Sequence, residues 1–313
     1  MGLNNQPFLM AKHWQAQVSY QYANTNDFYV GDQRVDHPQP NGPTALFGTP
    51  PYRKVSIFDV DVLYGLSNRV SLDLTVPFLS GSGGVVRGTP ASHRLYEGHA
   101  GGLGDISLQG EYWLSDPTRP SRVSGSVGLG IKAPTGNDNV QGVSPSGVGP
   151  IDESGQLGNG GWELLLRAQG TTQIVGPLFA YGSGYYGLSL TEHTDVLNGG
   201  ALRSVPDTYS GRLGAAYLLP VLDGLVVSFG GRINGVTVRN LIGGGNLYWR
   251  RPGYEVYVEP GLTWTLGRNM ASVSVPVRVY QNKLDSLLDI SLHRHLGSDF
   301  APYLIVASVA RRF

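Results

Sequence analysis

Few residue patterns in this chain could do chemistry, and each has a plainer reading beside it. GSGYYG at 182–187 has the G-x-G-x-x-G spacing that lets a backbone approach a pyrophosphate. That use needs a strand before the motif and a helix after it. Here LSL follows with no helical period, so these glycines read as relief of crowding inside a strand. HRH at 293–295 offers His293 and His295 to a divalent metal, with no third ligand in view. GNDNVQG at 136–142 is rich in oxygen ligands but lacks the spacing of a calcium loop. A hydrolase would need a serine and a histidine within hydrogen-bond reach of each other. His37, His93, His99, His193, His293 and His295 all fall in proposed loops, and His13 stands at a strand end. No catalytic residue, metal or cofactor is therefore assigned.

The remaining chemistry is a set of charges placed two residues apart. FDVDVLYGLSNRVSLDLTVPF (58–78) sets Phe58, Val60, Val62 and Tyr64 on one face, and after a short turn Val70, Leu72, Leu74, Val76 and Phe78 on one face again. Asp59, Asp61, Ser71, Asp73 and Thr75 occupy the opposite faces. Period-two alternation on both sides of a short turn predicts a β-hairpin. The same pattern recurs along the chain. Leu108, Gly110 and Tyr112 oppose Gln109 and Glu111; Val127, Leu129 and Ile131 oppose Ser126 and Lys132. Leu164 and Leu166 oppose Glu163 and Arg167, Leu213 opposes Arg212, and Ile233 opposes Arg232. Val256 and Val258 oppose Glu255 and Glu259, while Val273, Val275, Val277 and Val279 oppose Ser272, Ser274 and Arg278. Only FAYGSGYYGLSL (179–190) resists a register, being apolar or small on both faces. If its odd positions point inward, Phe179, Tyr181 and Tyr185 offer rings for an apolar solute to stack on.

About twelve strands of roughly 9–12 residues result, longer than the five or six residues usual in soluble sheets and matched to a tilted bilayer crossing. The links alternate in length. GLSNR (65–69), 115–122, 171–177, 219–224 and 267–270 are short; 23–53, 79–103, 134–160, 191–207, 236–253 and 281–299 are long. A soluble sandwich has no reason for that alternation and would have to hide both faces of every strand. An outer-membrane barrel has short turns on one side and long loops on the other. The expected fold is all-β: a transmembrane, antiparallel, up-and-down barrel of about 12 strands, with short periplasmic turns and long extracellular loops, residues 1–313 forming a single domain. The apolar faces then meet lipid, and Asp59, Asp61, Asp73, Glu111, Lys132, Glu163, Arg167, Arg212, Arg232, Glu259 and Arg278 are the predicted pore lining.

Composition agrees with this class. The 313 residues carry 23 Lys+Arg and 23 Asp+Glu, a net charge of zero, and only 15% charged residues, against about 25% in typical soluble proteins. Without a basic excess, nucleic acid is not an expected partner. Cysteine is absent, which removes disulfides and thiolate sites. No run of about 18 apolar residues exists to form a spanning helix. MGLNNQPFLM lacks the basic start and apolar core of a secretory signal, so the expectation is a mature outer-membrane form.

Two features carry a family resemblance. The ending YLIVASVARRF places Tyr303, Ile305, Ala307, Val309 and Phe313 on one face and resembles the C-terminal signal read by the machinery that inserts outer-membrane barrels. Arg311 departs from it at a position that is usually apolar or aromatic. The ordered blocks YGLSNRVSLDLTVPF, GLGDISLQGEYWL and GSVGLGIKAPTGN, with Gly104-Asp105 and Pro134-Thr135-Gly136, resemble the outer-membrane channel family named for the MetA pathway of phenol degradation. VSVPVRVYQN (273–282) is similar to that family's penultimate strand. The resemblance implies a monomeric twelve-stranded channel for small hydrophobic or aromatic molecules. Its expected partners are outer-membrane lipid and lipopolysaccharide, the insertion machinery and a small-molecule solute. Three alternatives stay open: a general narrow pore for ions and solutes, a non-conducting structural or adhesive barrel, and a barrel enzyme with a site in its loops.

Overall fold

The computed structural model of the protein describes residues 8–35, 52–89, 92–116, 121–144, 147–198, 200–295 and 297–313. Twelve antiparallel strands close into one barrel. We number them β1 (Trp14–Thr25), β2 (Tyr52–Gly65), β3 (Val70–Thr89), β4 (Ser92–Leu103 and, after a break, Ser107–Trp113), β5 (Val123–Lys132) and β6 (Glu163–Val175). The second half holds β7 (Leu178–Ser189), β8 (Thr208–Leu218), β9 (Leu225–Val236), β10 (Gly253–Leu266), β11 (Asn269–Ser274 and Val277–Lys283) and β12 (Leu304–Arg312). Each strand pairs with its sequence neighbours, and β12 closes on β1 from Gln15↔Arg312 to Ala23↔Leu304. In hydrocarbon an unpaired backbone group costs several kcal/mol, so closure is what permits the apolar outer face.

That outer face follows the alternation. Val60, Val62, Leu74, Leu108, Val127 and Leu129 are exposed on the barrel wall, while Gln15, Gln17, Ser19, Asp61, Asp73 and Glu111 are buried on the inside. Aromatic side chains gather toward the two ends of the wall. Trp14 and Tyr64 lie with ring centroids 4.3 Å apart beside the turns, and Tyr254 and Tyr280 lie 5.9 Å apart toward the loops. Rings at these levels suit the two membrane–water boundaries. Tyr303, Ile305, Val309 and Phe313 all point outward and are exposed.

Three departures from simple alternation have local causes. Residues 79–89 and 92–103 form paired strands rather than a long loop: β3 and β4 run together from Phe78↔Leu103 to Thr89↔Ser92. The Gly- and Ser-rich sequence there carries no apolar stripe, but backbone pairing outside the hydrocarbon needs none. β4 breaks at 104–106 beside Pro77, whose carbonyl accepts from Gly104 N–H at 2.8 Å. β11 breaks at Val275 and Pro276, where proline offers no N–H. A bulge opposite Tyr257 then leaves both Val279 and Tyr280 outside. The bulge shifts the face by one residue, so Arg278, Gln281 and Lys283 pair across from the inward residues Tyr257, Glu255 and Gly253. The ambiguous segment is settled by its neighbour. Arg167↔Tyr185 and Thr171↔Tyr181 share a face with inward-pointing β6 residues, so the odd positions of β7 face the lumen.

The wall makes a depth-dependent prediction. Leu129→Arg, near mid-strand on the lipid face, should lower folding stability by about 2–4 kcal/mol, and Val123→Arg at the strand end by about 0–1 kcal/mol. Urea titration of the folded protein in lipid vesicles, read as heat-modifiable gel mobility, checks both; equal costs at the two depths would contradict the placement of the bilayer.

Candidate functional site

Inside the barrel, charges on neighbouring strands are neutralised in clusters. Glu259 on β10 receives Arg212 from β8 at 2.8 Å and Arg232 from β9 at 2.9 Å, and accepts from Ser274 Oγ at 2.8 Å. Each guanidinium makes two bonds to the same carboxylate, the fork geometry that suits arginine. Glu259 and Arg232 are almost fully buried. Tyr181 lies beside this cluster, its ring centre 5.9 Å from Arg212 Cζ. Its hydroxyl fits only because Gly214 and Gly230 face it, where an added Cβ would come within 2.6 and 2.7 Å. On the other side of the barrel Glu111 accepts from Ser126 and Gln169. Asp61 accepts from Thr75 at 2.7 Å and Gln17 at 3.2 Å.

A second cluster holds a long loop inside the barrel. Asp105, at the break in β4, lies 3.3 Å from Lys132 and accepts from the N–H groups of Gly136 and Asn159, both at 3.0 Å. Lys132 also binds Glu163 at 2.9 Å. Thr135 Oγ1 donates to the Gly104 carbonyl at 2.7 Å and accepts from Ile106 N–H at 2.9 Å. Gly104-Asp105 and Pro134-Thr135-Gly136 thus form one joint. A Cβ on Gly158 would overlap Asp105 Oδ1, so glycine is required where the returning chain passes. The loop beyond the joint makes a single 3₁₀ turn, Glu153–Gly155, capped by Asp152. Gln156 fastens it by accepting from Val140 N–H at 2.8 Å and donating to Ile151 O at 3.1 Å.

Asp152 ties the loop to the wall. Arg53 of β2 approaches it at 2.8 and 2.9 Å and Arg251 at 2.7 Å. Burial pushes the Asp152 carboxyl up, but the Arg251 and Arg53 guanidinium groups outweigh it and hold the group well below the usual carboxylate range. Protonation therefore weakens this tie only in strong acid. Glu153 beside it is pushed up by burial, against the opposing pull of Arg251 and Arg203.

Between the loop and the floor of charged side chains lies a chamber of about 560 Å³. Ile57, Pro77, Leu79, Leu157, Leu165 and Val236 give its wall apolar area, joined by Tyr185 and Phe300. Asp59, Asp61, Asp73 and Arg167 line it toward the turns, and Arg53, Asp152, Glu153, Arg251 and Lys283 toward the loops. An outer recess of about 210 Å³ shares Arg53, Asp152, Ser154 and Arg251 with the chamber, so the Asp152 ion pairs stand between the two spaces. Toward the turns, the segment ahead of β1 folds under the barrel. Leu9, Leu63 and Trp113 are buried there, with Phe8 edge-on to Trp113 at 6.0 Å.

Of the predicted pore-lining residues, Asp59, Asp61, Asp73, Lys132 and Arg167 border this chamber. Arg232 borders an adjoining recess of about 310 Å³. Glu111, Glu163, Arg212 and Glu259 face inward within the clusters just described. Arg278 sits at the loop end, 2.8 Å from Asp299. Arg53, Asp152, Arg251, Lys283 and Phe300 carried no periodic signal, because they lie on loops, near loop ends or beyond the β11 bulge. His295 Nδ1 lies 2.7 Å from Asp285. Among the described residues no group of three His, Cys, Asp or Glu is placed to hold a metal.

No family model matches the chain, and no curated protein matches it either. Solved structures do. An outer-membrane channel from Pseudomonas putida F1 superposes with a TM-score of 0.62 at 16% identity, covering 100% of both chains. A FadL homologue from Pseudomonas aeruginosa gives 0.47 at 10% identity, covering 96% of this chain and 90% of that one. The toluene transporter TodX of Pseudomonas putida gives 0.46 at 9% identity, covering 96% and 89%. At such identities the first likeness shows the fold alone, that of an outer-membrane barrel.

The clusters predict two separable effects. Glu259→Ala leaves two buried guanidinium groups facing each other and should cost about 3–5 kcal/mol of stability, read as a lower urea midpoint. Asp105→Ala should leave the barrel folded but free the inward loop, seen as faster protease cleavage within 137–160. Unchanged cleavage would mean that Asp105 does not hold the loop.

Proposed function

We propose that this barrel is an outer-membrane channel that admits small, largely apolar molecules, aromatic ones among them, by passive diffusion through the chamber. The observation that carries the reading is the chamber itself. It is an enclosure of about 560 Å³, with apolar wall area and aromatic rings, placed between an anchored loop and an apolar packing at the turn end. Small-molecule sites are concave and combine apolar wall with placed polar groups, and this chamber has both. The sequence resemblance to the channel family named for phenol degradation points the same way. Selection then rests on size and on weak contacts with Ile57, Leu79, Tyr185 and Phe300. The surrounding lipid and lipopolysaccharide meet the apolar outer wall, and the Tyr303–Phe313 face addresses the insertion machinery. The protein works as a monomer, its 313 residues forming one barrel domain.

A general narrow pore for ions and solutes is the second reading, favoured by the charged floor of the chamber, Asp59, Asp61, Asp73 and Arg167. Single-channel currents of the purified protein in planar bilayers separate the two. The hydrophobic-channel reading expects discrete conductance steps that benzyl alcohol interrupts. Steps indifferent to it would favour the general pore. Folded, inserted protein without steps would favour a structural barrel. In the first case Ile57→Asn should shorten the interruptions by about tenfold, the loss expected for one apolar contact surface of 1–2 kcal/mol.

A further inference from the structure

The two ends of the chamber differ in charge, and one cation at the loop end lacks an anion. Toward the turns, Asp59 and Asp61 accept hydrogen bonds from the neutral side chains of Ser19, Gln17 and Thr75. Toward the loops, Arg53 and Arg251 share the single carboxylate of Asp152, and Lys283 joins them in the wall. Lys283 is only 8% exposed. Its Nζ rests 2.9 Å from the centre of the Phe300 ring. Among the described residues, no carboxylate lies within ion-pair distance of that Nζ. Glu255, on the paired strand, is taken up by Tyr257 Oη at 2.5 Å and Asn234 Nδ2 at 2.9 Å. Asp299 is taken up by Arg278 at 2.8 Å.

A buried ammonium without a counter-ion is costly, and a ring face under it offsets part of that cost. The arrangement leaves the Lys283 amine at the chamber wall without a carboxylate at ion-pair distance, with a ring and apolar side chains immediately beneath. Phe300, Val236 and Tyr185 border both the chamber and its adjoining recess. That combination suits an anionic head on an apolar body.

We propose that the chamber selects a small amphipathic carboxylate, aromatic or short-chain, whose carboxylate pairs with Lys283 beside Arg53 and Arg251 while its apolar part lies on Phe300, Val236 and Tyr185. Lys283 is then a specificity residue. This rests on the channel reading above and narrows its substrate class. Asp152 occupies the two arginines, as an internal carboxylate of the same chemistry. In the floor the carboxylates of Asp59, Asp61 and Asp73 outnumber the guanidinium of Arg167, which disfavours a carboxylate lodged deeper and orients the solute with its head toward the loops.

Equilibrium calorimetry on the folded, full-length protein in detergent tests this without requiring conductance. Benzoate, benzyl alcohol and benzylamine are titrated against protein and against empty micelles. Benzoate should bind about tenfold or more tightly than benzyl alcohol, the difference expected from one charge-assisted pair. Lys283→Gln should abolish the difference between benzoate and benzyl alcohol, and Lys283→Arg should retain it. Heat-modifiable gel mobility confirms that each variant is folded, and the wild-type comparison needs no variant at all. Equal binding of benzoate and benzyl alcohol, or tightest binding of benzylamine, overturns the carboxylate proposal while leaving the hydrophobic channel intact. Binding of none of the three removes both.

Discussion

The structure depends first on the absence of water outside its wall. Hydrocarbon cannot satisfy a free N–H or C=O, so every strand must be paired on both edges at membrane depth. Closure of β12 onto β1 meets that demand, and the demand in turn fixes the side chains. With period-two geometry, satisfying lipid on one face sends every second residue inward. A barrel of twelve strands is wider than one that side chains alone fill. The inward residues therefore meet either each other or an enclosed space, and both happen here.

Where they meet each other, the pairing is local in the sheet. Arg212, Arg232 and Glu259 come from three adjacent strands, and Lys132 and Glu163 are direct cross-strand partners. Such clusters let charged residues live inside a low-dielectric wall without an unpaired ion. Width not used by these clusters is taken by the loop that Asp105 turns inward. The clusters and the loop together bound the chamber.

Legibility in the sequence follows the same division. Strands whose outer face must be apolar were readable, because lipid imposes a contrast that the alternation displays: Val60 against Asp61, Leu129 against Lys132. Where lipid imposes nothing, the signal fades. Residues 79–89 and 92–103 pair above the hydrocarbon and show no stripe. The register of 179–190 is set by partners on β6 and β8, with small residues on both of its own faces. The β11 bulge moved Lys283 to the inner face through a backbone event that no residue type announces. The joint between Gly104-Asp105 and Pro134-Thr135-Gly136 was visible as two motifs but not as one contact. Its meaning lies in Asp105 reaching Gly136, Asn159 and Lys132 together.

The charged residues that border the outer end of the chamber are consequently those the alternation does not emphasise. A charge on a strand and opposite an acid is neutralised by the sheet's own geometry, and its contribution is to wall integrity. A charge on a loop, or just past a bulge, is released from that geometry and can face the enclosed space. Arg53 and Arg251 are bound to Asp152, which is itself part of the inserted loop. Their pairing therefore joins loop position to the field at the chamber's outer end. The outer recess and the chamber share these side chains. On the proposed channel reading, the same ion pairs that hold the loop in place thus set an electrostatic step that a solute meets at the chamber's outer end.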